Sequence, residues 1–129
     1  MSIRYVIYEE LRLVITVAEG RVTFAEVTVH QSRLLDDPAF DPTFNQLTDF
    51  TTTELFDVSV EEAKQISQRK IFSPGTKRAA VAKSPHIFGM YRMMQVYHHM
   101  AHPDVNAQVF SNRDEALEWL GIPEDSGLY

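Results

Sequence analysis

The chain has 129 residues, of which 44% are apolar, 11% aromatic and 23% charged, the profile of one ordinary globular domain. With 18 Asp and Glu against 12 Lys and Arg the net charge is −6, which disfavours nucleic acid as a partner. There is no cysteine, so disulfides, thiolate metal sites and thiol nucleophiles are excluded.

Ile3-Arg4-Tyr5-Val6-Ile7-Tyr8 is β-branched and aromatic and reads as a strand. Leu11 to Val17 is a second, with Leu11, Leu13, Ile15 and Val17 on one face. Glu9-Glu10 is a short link, so the pair predicts an antiparallel hairpin. Arg4, Glu9, Glu10 and Arg12 interrupt this stretch, unlike the apolar core of a signal peptide. No run approaches the ~20 apolar residues of a membrane span. A cytoplasmic protein without membrane insertion is expected.

Gly20 is expected to end the second strand, and Thr23-Phe24-Ala25-Glu26 opens a helix with a capping box. Phe24, Val27, Gln31, Leu34 and Leu35 follow at near-helical spacing. Asp37-Pro38-Ala39-Phe40 and Asp41-Pro42-Thr43-Phe44 repeat a D-P-x-F pattern. Two prolines so close stop helix growth and predict a shaped turn. Phe44 to Phe50 is the third strand. Ser59 and Glu62 form a second capping box, and Ala63, Ile66 and Lys70 or Ile71 continue that helix's face.

Ser73-Pro74-Gly75 is a turn, and Arg78 to Ala82 a short strand with small side chains, as in a crowded central position. Ser84-Pro85 starts a third helix, hydroxyl cap then proline, running to about Met100. Val105 to Val109 alternates as the fifth strand. Asn112 caps the last helix, with Ala116, Leu117 and Leu120 inward and Gly121, Ile122 and Pro123 as its stop. Residues from about Glu124 are expected to be loosely held.

The order β-β-α-β-α-β-α-β-α predicts a single α/β domain over residues 1–129. An antiparallel N-terminal strand precedes four strand–helix turns in a five-stranded mixed sheet. Helices are expected mostly on one face.

This order, together with Gly20 to Glu26, Asp37 to Pro42, Leu47-Thr48-Asp49-Phe50, Phe88 to Met93 and Glu115 to Leu120, resembles the SpoIIAA-like (STAS-like) superfamily. Within it the chain is similar to small stand-alone bacterial proteins. The fold also underlies the CRAL-TRIO lipid-transfer domains, which are longer and close their pocket with extra helices. The resemblance implies a regulatory or binding domain rather than an enzyme. In anti-sigma-factor antagonists of this superfamily two Asp residues precede a phosphorylated Ser at a helix cap. Asp49 and Asp57 take the Asp places, but Val58 stands where the Ser would be and Ser59 is one position late. The resemblance therefore comes without the phospho-switch.

Several constellations stand out. Residues 63–103 hold Lys64, Arg69, Lys70, Lys77, Arg78, Lys83, Arg92 and four of the five histidines, and no Asp or Glu. They form either an anion-binding face or a scatter of helix-end and sheet-edge charges. His98, His99, His102 and Asp104 lie close in sequence, but a metal needs three or four converging ligands, and no metal or other cofactor is expected. Asp49 lies at the carboxyl end of the third strand, where open α/β sheets bind ligands, or it caps the turn at Thr51 and Thr52. Lys83, Ser84 and His86 surround the start of the third helix, a candidate anion site.

The third helix is apolar nearly all round, which suits burial by its own fold or a partner. Phe88, Met90, Tyr91, Met94 and Tyr97 are its candidate interface residues, in a homodimer or with another protein. The expected function is a non-enzymatic interaction or regulatory domain. The alternative is a binder of a small anionic or lipid-like ligand at the carboxyl edge of the sheet.

Overall fold

The computed structural model describes residues 2–129. The strands are β1 (Ile3–Tyr8), β2 (Leu13–Thr23), β3 (Asn45–Asp57), β4 (Lys77–Val81) and β5 (Asn106–Phe110). The helices are α1 (Phe24–Asp36), α2 (Val60–Gln68), α3 (Pro85–Ala101) and α4 (Arg113–Trp119). A short 3-10 turn covers Glu124–Ser126. The strands form one sheet in the order β1-β2-β3-β4-β5, with β1 antiparallel to β2 and the rest parallel. The five-stranded mixed sheet is the predicted one.

The strand order explains the layering. Each crossover from β2 onward moves one strand in the same direction, so right-handed connections place α1, α2 and α3 on one face. After β5 no strand remains to add, and α4 folds onto the opposite face. There Ala116, Leu117 and Leu120 pack against Leu13, Ile15, Leu47, Ala79 and Val81. On the other face Val14, Leu34, Phe44, Ile71 and Phe72 form one cluster, and Ile3, Ala18, Val22, Phe56, Ala82 and Ile87 another.

Local chemistry sets the boundaries. Thr23 and Glu26 close a capping box on α1, and Ser59 and Glu62 close one on α2, as predicted. Both D-P-x-F segments form the same turn. The Asp37 carboxylate accepts from the Ala39 amide and the Asp41 carboxylate from the Thr43 amide, each at 2.9 Å. Phe44 is thereby buried, and Phe40 meets Phe72 edge to face at 5.4 Å.

Other boundaries differ from expectation. Leu11 lies in the hairpin turn, where Arg12 takes a left-handed φ of 53°, so β2 starts at Leu13. Gly20 does not end β2. It sits inside the strand at φ 64°, and the chain continues to Thr23. β3 likewise runs on to Asp57, with register shifts between Val17 and Glu19 and between Gly20 and Arg21. These bulges insert extra residues into β3, and Gly20 supplies the backbone freedom that the kink requires. Ser84 occupies the N-cap of α3, but its side chain makes no cap hydrogen bond. The end of the chain folds back, with the Tyr129 hydroxyl donating to the Ile122 carbonyl at 2.6 Å and Leu128 packing near α4.

Candidate functional site

The face of the sheet beneath α1–α3 carries a polar row in its middle. Thr16 of β2, Gln46 and Thr48 of β3 and Arg78 of β4 all point into this layer, because Gln46 is in register with Val14 and with Arg78. Small Ala80 and Ala82 follow Arg78 and are fully buried.

These side chains form one directed chain. Arg78 is donor-only, so it fixes Gln46 with its carboxamide oxygen turned inward. Gln46 Oε1 accepts from Arg78 Nε at 3.1 Å and Nη2 at 2.8 Å. Gln46 Nε2 then donates to Thr16 Oγ1 at 3.0 Å. The Thr16 hydroxyl also meets His30 Nε2, 3.3 Å away, as donor or acceptor according to the imidazole's tautomer. Buried deep in this layer, the His30 ring is assigned as neutral. Burial, and secondarily the charge on Arg78, lower its pKa to about 4, in agreement with that assignment. Thr16 and Gln46 are 2% and 3% exposed, too deep for the network to be a solvated surface feature.

Arg78 itself has no carboxylate partner among the described residues. Its ring contact is Phe72, 4.9 Å from the guanidinium carbon, and burial pushes its pKa down. Tyr91 of α3 lies close enough for the two charges to couple, and burial raises the phenol's pKa. Arg78 and Tyr91 keep some accessible surface although protein surrounds them, because both line a cavity.

In this cavity, between the sheet and α1–α3, the centre of a water-sized sphere can move through about 80 Å³. Thr16, His30, Gln31, Gln46, Thr48, Arg78 and Tyr91 give it a polar middle. Ile3, Val22, Val27, Phe50, Phe56 and Met94 line one end, and Leu34, Ile66, Ile71 and Phe72 the other. No Asp or Glu is among the lining residues. A smaller cavity of about 40 Å³ shares Ile66, Arg78, Tyr91 and Met94 and adds His98. His98 Nδ1 is buried there without a hydrogen-bond partner, and its pKa is lowered to about 3 by burial, then by Arg78, His102 and His99. A surface groove lined by Ile3, Ala25, Glu26, Val29 and His30 shares Ile3 and His30 with the main cavity wall.

Of the sequence-predicted residues, Tyr91 and Met94 line this cavity and the others lie outside its wall. Asp49 points to the α4 face. Its Oδ1 accepts from the Thr51 amide at 2.8 Å and hydroxyl at 2.6 Å, and Oδ2 lies 3.5 Å from Arg113. It thus caps the first β3 bulge. Lys83, Ser84 and His86 are exposed at the start of α3, on the other side of the sheet from Asp49. Phe88, Met90 and Met94 pack on the protein's own core, Tyr91 and Met94 line the cavity, and Tyr97 lies under Lys64.

The basic segment is dispersed. Lys77 reaches the Trp119 carbonyl, Arg69 binds Thr28, Gln31 and Ser32 of α1, and Arg78 is central rather than at an edge. The rings of His98 and His102 lie 5.0 Å apart, and among the described residues no group of three or more His, Asp or Glu is placed to hold a metal. Ser59 is held in its capping box, its hydroxyl accepting the Glu62 amide at 3.1 Å.

No family model and no curated protein matches the chain. Among solved structures, an uncharacterized protein of the DUF3478 family with a SpoIIAA-like fold, from Shewanella loihica PV-4, is similar over 92% of this chain and 94% of that one. The TM-score is 0.56 and the identity 18%. The chain has a SpoIIAA-like fold. At that identity the likeness speaks for the fold alone, and the cavity must be read from its own residues. No helix among the described residues is long and apolar enough to cross a membrane.

Proposed function

We propose that the protein is a non-enzymatic binding domain that encloses a small, largely apolar molecule between the sheet and α1–α3. The cavity around Arg78 carries this reading, because well-packed interiors leave few voids larger than one water. One water needs roughly 10–15 Å³ on the same measure, so the space of about 80 Å³ suits several waters or a short acyl chain. Thr16 and His30, two of the cavity side chains chemically able to act as nucleophile or base, are committed to the chain of hydrogen bonds that ends on Arg78. That supports holding rather than turnover. The ligand site sits inside the layer, in place of the carboxyl edge where sequence reasoning sought it. Thermal melting with hexan-1-ol or hexanoate tests this: a ligand that enters only the folded state raises the melting temperature. No stabilisation by either would remove the reading.

Self-association of the domain is a second reading, carried by α3. Val96 and Met100 are 58% and 76% exposed near its end, beside a groove formed by Lys64, Gln68 and Tyr97. Light scattering should give about twice the chain mass, and a monomer throughout the micromolar range would dismiss it.

A further inference from the structure

We propose that the molecule held in this cavity is a small aliphatic carboxylic acid, its carboxylate paired with Arg78 and its chain directed toward Phe50 and Phe56. The proposal rests on the ligand-binding reading above and specifies its chemistry. Arg78 is half-buried between the sheet and the helices, yet no carboxylate among the described residues stands within ion-pair distance of it. Only Gln46 Oε1 meets its Nε and Nη2, a neutral acceptor for a full charge. A guanidinium has five N–H donors in a rigid fork, so Nη1 and the second Nη2 hydrogen remain for an acceptor inside the cavity. A fork of that geometry matches a carboxylate through two parallel hydrogen bonds.

The surroundings select further. The segment from residue 63 to 103, which supplies Arg78, Tyr91 and Met94, contains no acid that would repel an anion. His30 and His98, the other basic groups in the walls, are held neutral and do not compete for the counter-ion. The neighbouring space beyond the polar row is lined by Phe50, Phe56, Ile87, Met90, Tyr91 and Met94; the Tyr91 hydroxyl is its one polar side-chain group, and no charged side chain stands there for a second anion. A short monocarboxylate with an alkyl tail satisfies both ends. A dianionic phosphate would leave charge unmatched, because Arg78 is the only charged side chain in the main cavity wall.

The test compares hexanoate with hexan-1-ol, of similar length but uncharged, by calorimetric titration and thermal melting of the whole chain. Hexanoate should bind at least about ten-fold tighter, the equivalent of ~1.4 kcal/mol. Arg78→Met should abolish that preference. Gln46→Glu, which places a carboxylate on Arg78 from within, should abolish it independently, so the test survives if Arg78→Met does not fold. Equal binding of hexanoate and hexan-1-ol, or a preference that persists in either variant, would overturn the carboxylate assignment and leave the cavity reading standing. Binding of neither compound would overturn both.

Discussion

Gln46 and Arg78 occupy the same register position on adjacent parallel strands, and one carboxamide oxygen receives both Nε and Nη2 of the guanidinium. This pair orients everything downstream of it. A donor-only side chain turns the amide, the amide donates to the threonine hydroxyl, and the hydroxyl meets the His30 ring.

Replacing Gln46 by Glu should therefore stabilise the protein. Burial has already stripped the guanidinium of part of its water, so most of the new desolvation falls on the carboxylate, and Thr16 can rotate to donate to it. A gain on the order of 1 kcal/mol is expected from exchanging a neutral acceptor for a charged one. The midpoint of urea unfolding at neutral pH measures it; a lower midpoint would mean that Gln46's amide donor matters more than the charge on Arg78.

Acid should weaken the fold before the carboxylates titrate. His30 has its pKa lowered from 6.5 to about 4, and His98 from 6.5 to about 3, both chiefly by burial. Between pH 6.5 and about 4 the unfolded chain binds protons that the folded chain refuses, so stability falls as pH drops through this window. The slope reaches about 1.4 kcal/mol per pH unit for each histidine, and neither contributes above it. Asp37 and Asp41, whose carboxyls are lowered by amide hydrogen bonds from Ala39 and Thr43, act only at still lower pH. His30→Gln should remove one histidine's share of the slope. Unfolding curves that coincide from neutral pH down to about 5 would contradict this account.

Two glycines should respond with opposite signs. At Gly20 the backbone is left-handed, φ 64°, and an added methyl strains it whatever the space around it. Gly20→Ala should cost about 1–2 kcal/mol. Gly89 lies within α3 with no atom within 4 Å of an added Cβ. Gly89→Ala should gain about 0.5–1 kcal/mol from helix propensity. Melting temperatures of the two single variants decide the matter.

Asp49→Asn should be nearly neutral, within about 0.5 kcal/mol. An amide oxygen still accepts from Thr51, and only the long contact to Arg113 is lost. Removing the acceptor with Asp49→Ala should cost about 1 kcal/mol. The same stability measurements, run on both variants, separate a bulge cap from a ligand-binding charge: a capping role needs only the oxygen.

The fold was legible because its determinants are local. Two capping boxes, the Asp37 and Asp41 turns and the proline at the start of α3 mark the helices, and handedness orders the strands between them. The lengths of β2 and β3 were hidden by Gly20 and by the polar run Thr51-Thr52-Thr53-Glu54, which read as a loop but form bulged strand. The site was hidden for a different reason. Arg78 opens a short strand and reads as an edge charge. Its partners lie at positions 16, 30 and 46, and the register that aligns parallel strands is set by helix packing across long crossovers rather than by a turn.

The paired extension of β2 and β3 beyond the other strands has a dynamic consequence. β4 pairs with β3 only from Gln46 to Asp49, so Glu19–Thr23 and Thr52–Asp57 form a two-stranded ribbon. It ends where Thr23 meets Asp57, with Thr23 the cap of α1 and Ser59, two residues on, the cap of α2. One opening of the ribbon therefore unlatches the first turns of two helices whose chain positions are far apart. Amide hydrogen exchange should show the protons of Glu26 and Glu62 exchanging at one common rate, faster than those of Leu47 and Ala80, as a single cooperative unit of partial unfolding.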